Sequence, residues 1–286
     1  MLNKPIDNTV MNKMPERFKN YQEVKDNNPW EKVAEKYIDN PKCLFSVNNH
    51  YYYEKDYNAI VEFNKKWGET TDVIITSIPV EPWWGNPLTA KLIILSLNPG
   101  YVPEINKTLA ELLQNVDTIR KKLIEYKKRT LKLNADSLFP KVDDANPITC
   151  RDAVNMLGDW YWFKKLKSLQ VDVNYNEEEF YKKIAIIEYH GYSSQTSNHI
   201  FPIRNKYLET QLFIKKMIWY LAEKDDVRFL IMRSENKWKN LLNHENNDFF
   251  ETHKEKFLCK KNKGMSQSVS SKNLDETYEQ LILFLS

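Results

Sequence analysis

Two spacings of apolar residues alternate along this chain. Short, nearly unbroken runs at Leu92–Leu97, Ile184–Ile187 and Val227–Met232 predict strands buried on both faces, as in a parallel sheet. The β-branched run Asp72–Ile78 predicts a further strand. Between these runs, apolar residues recur every three or four positions, which predicts amphipathic helices over Trp30–Ile38, Tyr57–Trp67, Lys107–Leu133, Gln211–Leu221, Asn236–Leu242 and Glu276–Leu285. The repeated order of strand, loop and helix predicts an α/β fold: three layers, α/β/α, around a central and mostly parallel sheet. The expected organisation is a single domain over 1–286, with a helical N-terminal extension to about residue 70 and a helical insertion at about 104–166.

Turn chemistry marks the borders of these elements. Leu44–Val47 and Tyr51–Tyr53 suit a short hairpin turning at Asn48, Asn49 and His50. Three prolines within residues 79–87 predict an irregular loop that carries Trp83 and Trp84. Its tryptophans suit either a pocket wall or a cap on the core. The run KLIILSLNPGY (Lys91–Tyr101) stops at Asn98-Pro99-Gly100, where proline ends the ladder and glycine permits a close backbone approach. Ligands of open α/β sheets bind beyond the carboxyl ends of the strands, so a polar side chain at that turn is a site candidate. A plain strand-ending turn is the alternative. KIAIIEYHGYSS (Lys183–Ser194) repeats the arrangement, with Glu188, Tyr189, His190, Gly191 and Tyr192 after a buried run. A lone histidine is usually a surface or hydrogen-bonded structural residue, but a place at a strand's carboxyl end, followed by Gly191, makes His190 the second candidate.

Composition narrows the function only slightly. The 42 basic and 39 acidic residues nearly balance, so a polyanionic partner is permitted without being required. The Arg120-Lys121-Lys122 and Lys127-Lys128-Arg129 clusters suit either phosphate contacts or, more ordinarily, a solvated helix face. Sixteen Tyr and eight Trp supply core material and surfaces on which bases can stack. Asn155–Leu166 concentrates such aromatics, and core packing is the ordinary reading for it. Cys43, Cys150 and Cys259 are too scattered for a disulfide framework or a metal site, and neither a metal nor another cofactor is expected. No apolar run approaches the roughly 20 residues of a membrane span, which predicts a cytoplasmic protein with no membrane partner.

The segment LIILSLNPGY resembles the first motif of the uracil-DNA glycosylase superfamily, most closely its mismatch-specific uracil/thymine branch, in which a hydrophobic strand runs into Gly-Ile-Asn-Pro-Gly. Ser96 stands here where that family carries glycine. The resemblance covers about ten residues and implies a DNA partner and a DNA glycosylase acting on a flipped base. On that basis Asn98 orients the attacking water and His190 donates to the leaving group or contacts phosphate. Ser96, Pro99, Gly100, Tyr101, Tyr189 and Tyr192 would line the substrate pocket, with Tyr101 stacking on the base. The late Ser-rich segment MSQSVSSKNL resembles the family's duplex-inserting loop without its histidine or prolines, which implies DNA contacts from Ser268, Ser270, Ser271 and Lys272. The long insertion after the Asn98 motif suits a base other than plain uracil, such as a bulky modified base of foreign DNA.

The chemistry agrees with these residue types. Breaking an N-glycosidic bond leaves an oxocarbenium-like sugar and a base that gains negative charge, so the enzyme must place a water and donate hydrogen bonds to the base. An amide cannot deprotonate water, but its oxygen can orient one. Two other functions fit the same residues: a catalytically silent nucleic-acid-binding module of this fold, and an α/β protein binding a small nucleotide or sugar. No GxGxxG or GxxxxGK[ST] phosphate loop supports the last.

Overall fold

The computed structural model describes residues 17–37, 50–97, 100, 117–139, 159–196, 199, 206–246, 248–259 and 268–286. Five strands form one sheet among these residues: β1 (Trp83–Trp84), β2 (Leu92–Leu95), β3 (Ile184–Ile187), β4 (Arg228–Ile231) and β5 (Phe257–Cys259), in the spatial order β1-β3-β2-β4-β5. β2 lies at the centre, parallel to both neighbours, with Leu92 opposite Ile184 on one side and Arg228 on the other. β5 extends the parallel set and β1 adds an antiparallel edge. The three strands predicted as buried are the three inner ones.

Each strand sends alternate side chains to opposite faces, and both faces are covered. Ile93, Leu95, Ala185, Ile187, Phe229 and Ile231 enter one core. There they meet α1 (Tyr21–Asp26), α2 (Glu31–Glu35), α3 (Tyr57–Trp67), α7 (Glu209–Ala222), α8 (Glu235–Leu242) and α9 (Phe249–Thr252). Leu92, Ile94, Ile184, Ile186, Leu230 and Met232 enter the other, against α5 (Asp159–Asp172), α6 (Glu177–Lys182), α10 (Ser271–Leu274) and α11 (Glu276–Leu285). Among the described residues this is the expected three-layer α/β arrangement. Helix α4 (Asp117–Leu131) contributes to both cores, through Leu123 and Ile124 to the first and Tyr126 to the second.

Three local expectations fail for identifiable reasons. Asp72–Ile78 is not a strand and makes a single bridge, Ile75 to Ser193. The Asn64 side chain takes both backbone groups of Ile74, at 2.8 Å each, and so replaces a neighbouring strand. The proline-rich loop is not wholly irregular, because Trp83 and Trp84 pair with Ile187 and Ile186 as β1. β1 is an edge strand between prolines, a position where their missing N–H groups do little harm. The short strand β5 and the short helices α6, α9 and α10 carry little periodic signal and are not among the predicted elements. Tyr51–Tyr53 is not a strand, and the other arm of the predicted hairpin lies outside the described residues, as does the start of the helix predicted from Lys107.

The N-terminal helices are tied to the sheet layer by one carboxylate. Asp56, only 1% exposed, accepts hydrogen bonds from Tyr192 Oη (2.8 Å), Thr210 Oγ1 (2.6 Å) and Glu209 N (2.8 Å). It therefore caps α7 from a distant part of the chain, where the N-cap residue Leu208 has no side-chain acceptor of its own.

Candidate functional site

The strand order puts a topological switch between β2 and β4. The chain leaves β2 toward β3 on one side and leaves β4 toward β5 on the other, so the connecting loops diverge at the carboxyl ends, the place where open α/β sheets bind ligands in a crevice. Ser96 follows β2, Glu188 and His190 follow β3, and Arg233 follows β4. Four polar side chains from three parallel strands thus share one edge of the sheet.

Ser96 is buried and held on both sides. Its N–H donates to Ile187 O (2.9 Å), its carbonyl accepts from Trp238 Nε1 of α8 (3.0 Å), and its side chain hydrogen-bonds Glu188. Helix α8 is aimed at this point by Ser234, which takes the left-handed conformation (φ 53°) just before it. Trp238 also packs edge-on against Tyr189, with centroids 5.1 Å apart.

Glu188 is the residue the sequence analysis did not select. It is 3% exposed, and its Oε2 has no hydrogen-bond partner among the described residues. Burial pushes its pKa up to about 8; Glu81 adds to the rise, while Ser96 and Arg233 oppose it. The carboxyl is therefore largely protonated at neutral pH and carries an O–H donor. Its sequence signal is a carboxylate directly after the four apolar residues of β3, where the backbone stays inside: Glu188 N donates to Pro82 O at 2.9 Å. The loop that supplies Pro82 is itself pinned to α4, by an ion pair from Lys127 to Glu81 and by Trp83 Nε1 donating to Thr130 O (2.6 Å). Lys127 is consequently buried over the Trp84 ring and does not belong to a solvated basic face.

His190 is 1% exposed, and its backbone N–H donates to Leu97 O at 3.3 Å. Burial pushes its pKa down to about 3, opposed by a hydrogen bond between the ring and the Tyr192 backbone and helped by Lys237, so the imidazole is neutral and already held by its own loop. Tyr189 and Tyr192 are fully buried; Tyr192 donates to Asp56, and neither ring has a face open to a stacked base. At the rim, Tyr161 of α5 faces Glu188 and Arg233, and burial pushes its phenol up to about 12.

Asn98, Pro99 and Tyr101 lie outside the described residues. Their neighbours do not: beyond Leu97, Gly100 forms a parallel bridge with Ser194. A Cβ at Gly100 would meet nothing within 4 Å among the described residues. The close approach belongs to Gly191, whose Cβ would stand 2.8–3.0 Å from Pro82.

The Ser-rich segment is brought to α5, with Val269 N donating to Lys165 O (2.8 Å), one turn from Tyr161. Ser268 accepts from Asn273 through its carbonyl, Ser270 precedes α10, and Ser271 and Lys272 are exposed. Among the described residues, no three His, Cys, Asp or Glu side chains are grouped to hold a metal, and no helix is long and apolar enough to cross a membrane. No family model matches the chain, and neither a curated protein nor a solved structure shows significant similarity to it.

Proposed function

We propose that this protein hydrolyses the N-glycosidic bond of a base extruded from DNA, in the crevice at the carboxyl ends of β2, β3 and β4. The observation that carries the reading is Glu188, a buried carboxyl favoured in its protonated form, with one oxygen unpartnered among the described residues, at the end of the strand beside the one that runs into Asn98-Pro99-Gly100. Base departure needs a donor that strengthens as negative charge builds on the base, and a neutral carboxylic acid in a dry site is such a donor. Asn98 takes the role its motif implies and orients the water. The C1′–N bond breaks with its electron pair going to the base, water oxygen bonds to C1′, and the proton balance is closed by transfer to the base. Glu188 donates to the base, His190 contributes at most a neutral N–H, and Arg233 and Tyr161, which lie beside Glu188, contact the nucleotide in this reading.

The test is incubation with a panel of DNAs carrying different modified bases, followed by detection of abasic sites. Release from at least one is expected, with Asn98→Ala slower by about 10²-fold or more and its DNA affinity little changed. DNA binding without release from any member favours the silent module; no DNA affinity at all favours the small-ligand protein.

A further inference from the structure

A second polar constellation lies beside this crevice and is not used by the chemistry above. Asp72, 3% exposed, accepts from Thr196 Oγ1 and lies 2.7 Å from His199 Nδ1. The His199 ring stacks on Trp67 of α3, with centroids 3.6 Å apart and planes at 19°, yet its side chain stays 43% exposed. Bonding of Nδ1–H to the carboxylate fixes the tautomer and leaves Nε2 for a ligand. An exposed imidazole held this firmly, by a buried carboxylate on its edge and an indole on its face, is oriented for something outside the protein.

The surroundings identify that ligand as an anion. Lys237 of α8 faces both Asp72 and His190, and Lys66 of α3 stands over the Trp67 ring at 4.9 Å. One ammonium group and an imidazole thus lie beside a carboxylate that is already bonded to Thr196 and His199, and a second ammonium stands over the indole on which the imidazole stacks. The constellation also adjoins the site. Thr196 is two residues beyond Ser194, the partner of Gly100, a separation of about 7 Å along extended chain. From there Thr196 N donates to Thr71 O at 3.1 Å, which holds this strip of backbone against Asp72.

We propose that His199 and Lys237 bind a backbone phosphate of the nucleic acid whose nucleotide enters the crevice; the identity of the ligand rests on the glycosylase reading. A phosphate oxygen only accepts, so Nε2 must carry a proton when it binds. The bound ring is therefore the doubly protonated one, its charge compensated by Asp72, so a rise in pH disfavours the complex.

The probe is a fluorescein-labelled 20-mer of ordinary bases, single-stranded and as a duplex, measured by anisotropy over a salt series between about pH 6 and 8, where an imidazole titrates. Wild-type affinity is expected to fall as pH rises. In His199→Gln that dependence should disappear and the duplex salt slope should drop by about 0.9, the value of one phosphate contact. Lys237→Gln should lose a similar slope and keep the pH dependence. Calorimetry in buffers of different ionisation enthalpy should find proton uptake on binding by the wild type and not by His199→Gln, a signal that a merely structural histidine would not give. Unchanged slope and unchanged proton uptake in a folded His199→Gln variant overturn the proposal, as does absence of any binding to either probe. The two readings fail separately: a His199-dependent phosphate contact without base release sinks the glycosylase alone, and base release with indifferent His199 sinks the phosphate site alone.

Discussion

Replacing Glu188 with glutamine should make the protein more stable at pH 8 while impairing the reaction. The native pKa of Glu188 is raised from its ordinary 4.5 to about 8, chiefly by burial. Between those values the folded protein holds a proton that the unfolded chain has released, so this residue's contribution falls as pH rises, by about 1.4 kcal/mol per pH unit. Over the whole window the loss is on the order of 4 kcal/mol, a large share of the roughly 5–15 kcal/mol that holds a domain together. Glutamine has the shape of the protonated acid, keeps an acceptor for Ser96 and a donor in place of the O–H, and never ionises. His190 complicates the absolute curve. Its folded pKa of about 3 means that the unfolded chain binds the extra proton below its ordinary 6.5, so stability rises with pH in that range and offsets Glu188. The contribution of these two groups together should thus be nearly flat from about pH 4.5 to 6.5 and fall from there to 8, and in Glu188→Gln it should rise over the first range and level off over the second. Urea unfolding at pH 5, 6, 7 and 8 gives the difference between the two proteins, from which His190 cancels. A difference that stays constant with pH would mean that Glu188 is ionised in the native state, and its role as a donor would go with it. Base release by Glu188→Gln at pH 7 supplies the functional half, since the amide can donate a hydrogen bond but cannot give up a proton.

Two further outcomes test the frame around the site. Asp56→Ala should cost about 3–5 kcal/mol in chemical denaturation, because it leaves the buried Tyr192 hydroxyl and the first amides of α7 without their acceptor; a loss below about 1 kcal/mol would show that water replaces the carboxylate. Gly191→Ala should lower stability by about 1–3 kcal/mol as its Cβ meets Pro82, while Gly100→Ala, whose Cβ meets none of the described residues, should stay within about 0.5 kcal/mol; equal thermal shifts for the pair would contradict the packing.

The inner strands and most helices of this protein are legible in its sequence. Leu92–Leu95, Ile184–Ile187 and Arg228–Ile231 are buried on both faces, and double burial writes itself as an unbroken apolar run. α7, α8 and α11 bury one stripe each, and a stripe writes itself as a three- and four-residue period. The candidate edge of the sheet was legible for the same reason, because the runs end where the loops begin. What each loop residue does there was decided by contacts across the fold. Glu188 reads locally as an ordinary acid after a strand; its raised pKa comes from burial and from Glu81, Ser96 and Arg233, which are remote in the chain. Tyr189 and Tyr192 read as residues of an open loop, and the approach of Trp238 and Asp56 turns both into core. Asp72 and His199 stand 127 positions apart and share no local pattern, so their pairing exists only once Thr196 has been laid against Thr71. Periodicity reports how a residue sits relative to its own helix or strand, whereas protonation and partnership depend on groups brought near by the closing of distant loops, and only the tertiary structure sets those.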